Sequence, residues 1–154
     1  MAASTTASTA EAPIVSLECT SDTFVPAPDP QVRWLDQESD FALAHESWET
    51  NGIPLTRAEW DDWHRQGYRY CGIVEGKRLV AFAAAWAYSP TGWEVAAVQT
   101  REGHRSRGYS KAVCSFVTAH ILAHGRRATL HTRADNAPMV QIARSLGFRP
   151  VSDT

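Results

Sequence analysis

The stretch REGHRSRGYSKAV, residues 101–113, groups Arg101, Arg105, Arg107 and Lys111 around Gly108, with His104 among them. Fixed cations beside a glycine suit an anion, because the cations pair with it and the glycine lets it approach the backbone closely. A strand-like apolar run precedes the stretch (GWEVAAVQT, 92–100) and a helix-like run follows it (KAVCSFVTAHILAH, 111–124). Residues 105–110 therefore enter a helix N-terminus, where unpaired N–H groups and the positive end of the dipole meet a phosphate. A solvated basic turn is the plain alternative.

Other constellations carry less chemistry. His120 and His124 stand four apart on a helix, but HILAH lacks the glutamate of a zinc-protease helix, so no metal is expected. No phosphate loop ending in Gly-Lys-Ser/Thr, no Gly-x-Ser-x-Gly elbow and no dinucleotide fingerprint occurs. Of the six tryptophans, Trp34, Trp48, Trp60 and Trp63 read as packing groups, with Trp86 and Trp93 on strands near the basic loop.

The loop needs elements to hold it. IVSLECT (14–20) is a candidate extra strand in an otherwise flexible tail over 1–28, and FVPAPDP reads as a linker. VRWLD (32–36) predicts a short strand, and residues 38–49 a helix with Ser39 or Asp40 as N-cap. LTRAEWDDWHRQ predicts a second helix opened by a Thr56/Glu59 capping box and ended by Gly67. Three partly alternating apolar runs, YRYCGIVEG, KRLVAFAAAWAY and GWEVAAVQT, predict an antiparallel meander. After the basic loop, Tyr109, Ala112, Val113, Phe116, Val117, His120 and Ile121 trace one helix face. RATLHT (127–132) is a strand, NAPMVQIARSL (136–146) a helix, and GFRPV a last partial strand.

With 154 residues, 44% of them hydrophobic, the chain can bury one core but not two ordinary ones. No apolar run is long enough to span a membrane, and MAASTTASTA lacks the features of a secretory signal. Cys19, Cys71 and Cys114 are odd in number and far apart, which fits reduced thiols in the cytoplasm. Charge divides the chain. Residues 1–62 carry twelve acids against Arg33 and Arg57, whereas residues 63–154 carry thirteen bases against five acids. The basic half lacks long Lys/Arg blocks and its charge centres on one turn, so nucleic acid is not the expected partner.

From about residue 69 to 151 the chain resembles the GNAT-fold N-acetyltransferases, which use acetyl coenzyme A. Arg105-Ser106-Arg107-Gly108-Tyr109-Ser110 matches that family's signature of Gln or Arg, two residues, Gly, one residue, then Gly or Ala, except at Ser110. Asp135-Asn136-Ala137-Pro138 and Leu146-Gly147-Phe148 look like its second landmark, an Asn before a helix that ends in Gly-Phe. The resemblance implies an α/β (α+β) fold with a single GNAT-like domain over 29–154. Its central mixed, twisted sheet would be flanked by about four helices and would be short at the C-terminal end.

It implies further that residues 105–110 hold the diphosphate, with Arg101, Arg107 and Lys111 offering charge to the remaining phosphate. Backbone groups near Val98 and Thr100 would be splayed from the next strand to bind the pantetheine arm and the acetyl oxygen. Asn136 would help hold the cofactor or cap its helix, or do both. Glu94 stands where one branch of the family has its general base, acting through water, and its other reading is a solvent-facing carboxylate. Ala143 occupies the place of the tyrosine that protonates the leaving thiolate in many members, so no general acid is expected there.

The function implied is transfer of an acetyl group from acetyl-CoA to a primary amine of a small molecule or protein. The alternative is a catalytically weak acyl-CoA-binding module with a sensing or partner-binding role. Between Asp36 and Asp62 eight acids face Arg57 alone, which suggests a cationic acceptor or simply solvated helix faces. The sheet edge after Phe148 is expected to be covered by IVSLECT, by a second copy of the chain in a homodimer, or by nothing.

Overall fold

Each alternating apolar run becomes a strand, and each run of helical period becomes a helix. A computed structural model describes residues 12–151. In chain order the elements are β1 (Ile14–Cys19), β2 (Arg33–Trp34), α1 (Phe41–Thr50), α2 (Arg57–Arg65), β3 (Tyr68–Glu75), β4 (Arg78–Trp86), β5 (Gly92–Thr100), α3 (Tyr109–Ala123), β6 (Arg127–Arg133), α4 (Ala137–Ser145) and β7 (Arg149–Pro150). The flexible tail expected at the N-terminus falls, for residues 1–11, outside the described range.

The strands form one mixed sheet in the order β2-β3-β4-β5-β6-β1-β7, with β5–β6 its one parallel pair and the rest antiparallel. Leu79–Ala85 of β4 is buried throughout, as a central strand covered on both faces must be. On one face α3 and α4 close a core containing Ile73, Ala83, Val95, Val113, Val117 and Phe148. On the other, α1 and α2 pack Trp48 and Trp60 onto Tyr70, Leu79 and Phe82. The four tryptophans read as packing groups thus divide. Trp48 and Trp60 are 3% and 0% exposed, whereas Trp34 and Trp63 are only partly covered.

α2 starts as expected. Thr56 accepts from the Glu59 N–H while the Glu59 carboxylate accepts from the Thr56 N–H. α1 differs from expectation, because Asp40 stands at its N-cap without capping it. The Asp40 carboxylate is taken by Arg33, at 2.9 and 3.2 Å, and by the Asp36 N–H, which pins the loop between β2 and α1 instead.

The edge after Phe148 is covered by the first of the three expected candidates. β1 pairs with β6 from Ile14↔Arg133 to Cys19↔Ala128, and β7 pairs with β1 through Leu17↔Pro150 and Glu18↔Arg149. Leu17 and Cys19 lie in the core, so this strand belongs to the sheet. Gly147 permits the arrangement. Its φ is +98°, and a Cβ there would lie 1.9 Å from the Thr23 carbonyl oxygen, so the chain leaving β1 crosses directly over the turn after α4.

Candidate active site

The site begins with a fault in β5. Phe82 pairs with Gln99 and Ala84 with Ala96, so Ala83 alone opposes both Ala97 and Val98. The extra residue is a β-bulge, with Ala97 held at φ +56°. Residues two apart on a regular strand share a face, yet Ala96 packs into the α1/α2 core and Val98 against the α3/α4 core. The bulge has reversed the strand's faces. Nearby, β5 parts from β6: the two pair only from Gly92↔Arg127 to Glu94↔Thr129, although both strands run further. A wedge opens between them.

At the wide end of the wedge stands the basic loop. Gly103, Ser106 and Gly108 all have positive φ, which coils residues 103–108 tightly ahead of α3. Gly108 is the N-cap and no side chain caps the helix, so its first-turn N–H groups are left for a ligand. Ser110, the departure from the family signature, is accommodated because its hydroxyl bonds that of Thr100 at 2.5 Å, tying α3 to the end of β5. The Thr100 carbonyl accepts from Arg105 Nε at 3.2 Å.

A residue that drew no notice in the sequence organises this loop. Glu75, at the end of β3, accepts a short hydrogen bond from the Tyr109 hydroxyl, and its carboxylate lies 3.3 Å from His104 Nε2 and 3.5 Å from Arg107 Nη1. Two loop residues and the first residue of α3 converge on one carboxylate. Only contact across the fold joins Glu75 to a loop some thirty positions later, so no local spacing announces it.

A cavity of about 1000 Å3 lies at the wide end of the wedge, between the end of β5, the basic loop and α4. Among the residues expected to bind the cofactor, Val98, Thr100, Arg105, Ser106, Gly108, Tyr109, Ser110 and Asn136 line it, and Arg107 does not. Lys111 and His104 line it too, as do Met139 and Ile142 of α4. The α4 residues were missed because their helix shows only an ordinary amphipathic period. Asn136 does cap α4, accepting from the Met139 N–H at 3.3 Å, so capping and lining coincide.

Arg101 requires a correction. It follows Thr100, whose side chain faces α3, and strand alternation sends it to the opposite side. There it is 7% exposed and bonded to Glu46 of α1 and to the Leu79 carbonyl oxygen at 3.2 Å. It is a structural cation and is not placed to meet a phosphate.

Glu94 lies on β5 just before the bulge, half-buried, with Oε1 3.3 Å from Nδ1 of His131. Burial raises its pKa above the usual carboxylate range, against the opposing pull of His131. In the paired register Tyr68, Trp86 and Glu94 form one row across β3, β4 and β5. Ala143 is fully buried. His120 and His124 are packed with Trp34 and Trp93, and burial, helped by His124 and Arg69, lowers the His120 pKa to about 4. Among the described residues no group of three or more His, Cys, Asp or Glu is placed to hold a metal ion.

A bulged strand splayed from a parallel neighbour, with an uncapped helix N-terminus at the mouth of the wedge, defines a domain of the GNAT class. Residues 70–154 match the model of the FR47-like protein family, and the chain belongs to that family. Among solved structures, a GNAT-family protein from Novosphingobium aromaticivorans superposes with a TM-score of 0.75 at 27% identity, covering 91% of this chain and 60% of that one. A GCN5-related N-acetyltransferase from Sphaerobacter thermophilus gives 0.70 at 18%, covering 90% of this chain and 48% of the other. The ribosomal-protein-S18-alanine N-acetyltransferase of Escherichia coli gives 0.64 at 16%, with 79% and 78% covered. This chain therefore spans less than two thirds of the first two structures. No curated protein matches it.

Proposed function

We propose that the protein is an N-acetyltransferase that takes its acetyl group from acetyl-CoA and passes it to a primary amine. The observation that carries this reading is the cavity at the wide end of the β5–β6 wedge, closed at one end by the uncapped start of α3. The residues fit the coenzyme: Arg105 and Lys111 supply cations, and a Cβ built on Gly108 meets nothing within 4 Å, so the approach to the backbone is open. When bound, the coenzyme supplies a thioester whose acyl carbon accepts the amine nitrogen as the C–S bond breaks.

The chain supplies the rest. A simple alkyl amine has a pKa near 10.4, that of lysine, and must lose a proton before it can attack. Glu94, raised by burial, is suited to take that proton through a water molecule. Backbone groups of β5 beyond Glu94, unpaired with β6, are available to the pantetheine arm and to negative charge developing on the acyl oxygen. With Ala143 at the expected acid position, the departing thiolate takes its proton from water or another group, which a thiol pKa near 8.5 tolerates.

Ala143 also favours a second reading, a binding module that holds acyl-CoA without turnover. Incubating the protein with acetyl-CoA and a panel of primary amines separates the two: release of free thiol together with an acetylated amine supports the transferase, and binding without release supports the module. The three buried free cysteines suit a reducing compartment such as the cytoplasm, and no helix among the described residues is long and apolar enough to cross a membrane.

A further inference from the structure

Where the cofactor cavity reaches the bulge of β5, a second one begins on the α1/α2 side. It measures about 360 Å3, is walled by Trp48, Trp63, Tyr68, Tyr70 and Phe82, and shares Val98 and Gln99 with the first. The fold sets these rings before any ligand arrives. Trp48 stacks on Phe82 at 4.0 Å and 11°, while Tyr68 stacks on Trp86 at 5.0 Å and 7°. No lysine, arginine, aspartate or glutamate lines the space.

Seven of the eight acids that suggested a cationic acceptor are engaged elsewhere. Asp40 pairs with Arg33, Glu46 with Arg101, Glu38 and Asp61 with Arg57, and Asp62 with Arg65. Asp36 accepts from the Ser39 N–H, and Glu59 completes the α2 capping box. Much of the negative charge of this half is thus committed to ion pairs and turns of its own.

We propose that the aromatic cavity receives a flat apolar group of the acceptor, making the acceptor an arylalkylamine, a primary amine joined to an aromatic ring by a short alkyl arm. The proposal rests on the transferase reading above. A ring among these side chains gains apolar burial and stacking or edge contacts. A polyamine there would leave its second charge buried without a counter-ion, and the attraction of ring faces for a cation offsets only part of that desolvation. Size agrees, since the cavity lies at the small end of the range of about 300–1000 Å3 typical of ligand pockets, enough for one ring system and its arm. Continuity sets the direction: with the ring seated between α1, α2 and β3, the arm leads toward the bulge, where the two cavities share Val98 and Gln99. Glu94 lines neither cavity but shares a row with Tyr68, which walls the second.

The test compares phenylethylamine with spermidine as acceptor by thiol release, and measures calorimetric binding of phenylethylamine to the protein saturated with coenzyme A. The aromatic amine is expected to have at least tenfold higher kcat/KM. Ile53→Trp, at a cavity-lining position that is 38% exposed, and Trp63→Leu, at a half-buried one, are each expected to raise its KM about tenfold, with acetyl-CoA affinity as in the parent. A preference for spermidine, or an unchanged KM for phenylethylamine in both variants, overturns the proposal while leaving the transferase standing. If no amine releases thiol, the transferase reading fails, and the calorimetry still decides the cavity. Saturable phenylethylamine binding lost in Ile53→Trp supports an aromatic site, and absence of binding to the parent overturns it.

Discussion

The two sides of the β5 bulge are built on opposite principles. On the α3 side, the site consists of backbone and charge: an uncapped helix start, tightly coiled glycines, Arg105 and Lys111. On the α1/α2 side it consists of rings, locked by stacking and free of charged lining. A phosphate-bearing group is held by groups that local sequence must supply together, whereas an apolar pocket can be assembled from side chains scattered over three strands and two helices. The first kind of site is written in one stretch of chain; the second exists only after folding.

Three substitutions sharpen that contrast. Glu94→Gln is expected to act on chemistry alone, lowering turnover about a hundredfold or more with cofactor affinity nearly unchanged. Because burial raises its pKa, the folded state favours the protonated carboxyl, and the ionised form costs stability as pH rises through the folded value. The neutral glutamine should therefore not lower Tm, and parent activity should climb over that same pH window; a large fall in Tm would make Glu94 a structural group.

Glu46→Gln is expected to act on stability alone. It leaves the Arg101 guanidinium buried without its carboxylate, at a cost of about 1–3 kcal/mol given that Glu46 itself is 44% exposed. Thermal denaturation measures the loss. Unaltered acetyl-CoA affinity in this variant would match a purely structural Arg101, and a large loss of affinity would return Arg101 to the phosphate site.

Glu75→Gln tests whether the basic loop is preorganised. Removing the charge that holds His104, Arg107 and Tyr109 is expected to weaken acetyl-CoA binding by up to about tenfold, near 1.4 kcal/mol, with a small change in Tm. Affinity equal to the parent's would mean the loop keeps its shape without Glu75.

The legibility of the molecule in its sequence follows the same division. The meander, the helix after the basic loop and the Thr56 capping box were readable because period and capping are local signals. Arg105 to Ser110 were readable as one group because a signature gathers them, and all but Arg107 line the first cavity. Arg101 was misread, since its nearness in sequence to Arg105 hid the strand alternation that turns it toward Glu46. Trp48 and Trp63 read as packing groups, and Tyr70 and Phe82 stand simply within the runs of the meander; that these rings, with Tyr68, wall a cavity depends on the register of β3, β4 and β5. The strand over 14–19 was visible, but its place between β6 and β7 depends on pairing across more than a hundred residues and on the contact that Gly147 allows.

The central claim is that the coenzyme lies in the β5–β6 wedge with its phosphates at the start of α3. Titration calorimetry of acetyl-CoA into the parent and into Gly108→Glu, with Tm recorded for both, tests it most directly. A carboxylate at the N-cap would fill the open approach with negative charge, so heat of binding is expected from the parent and none from the variant, while the variant still melts cooperatively. Equal affinity in the two proteins would contradict the assignment.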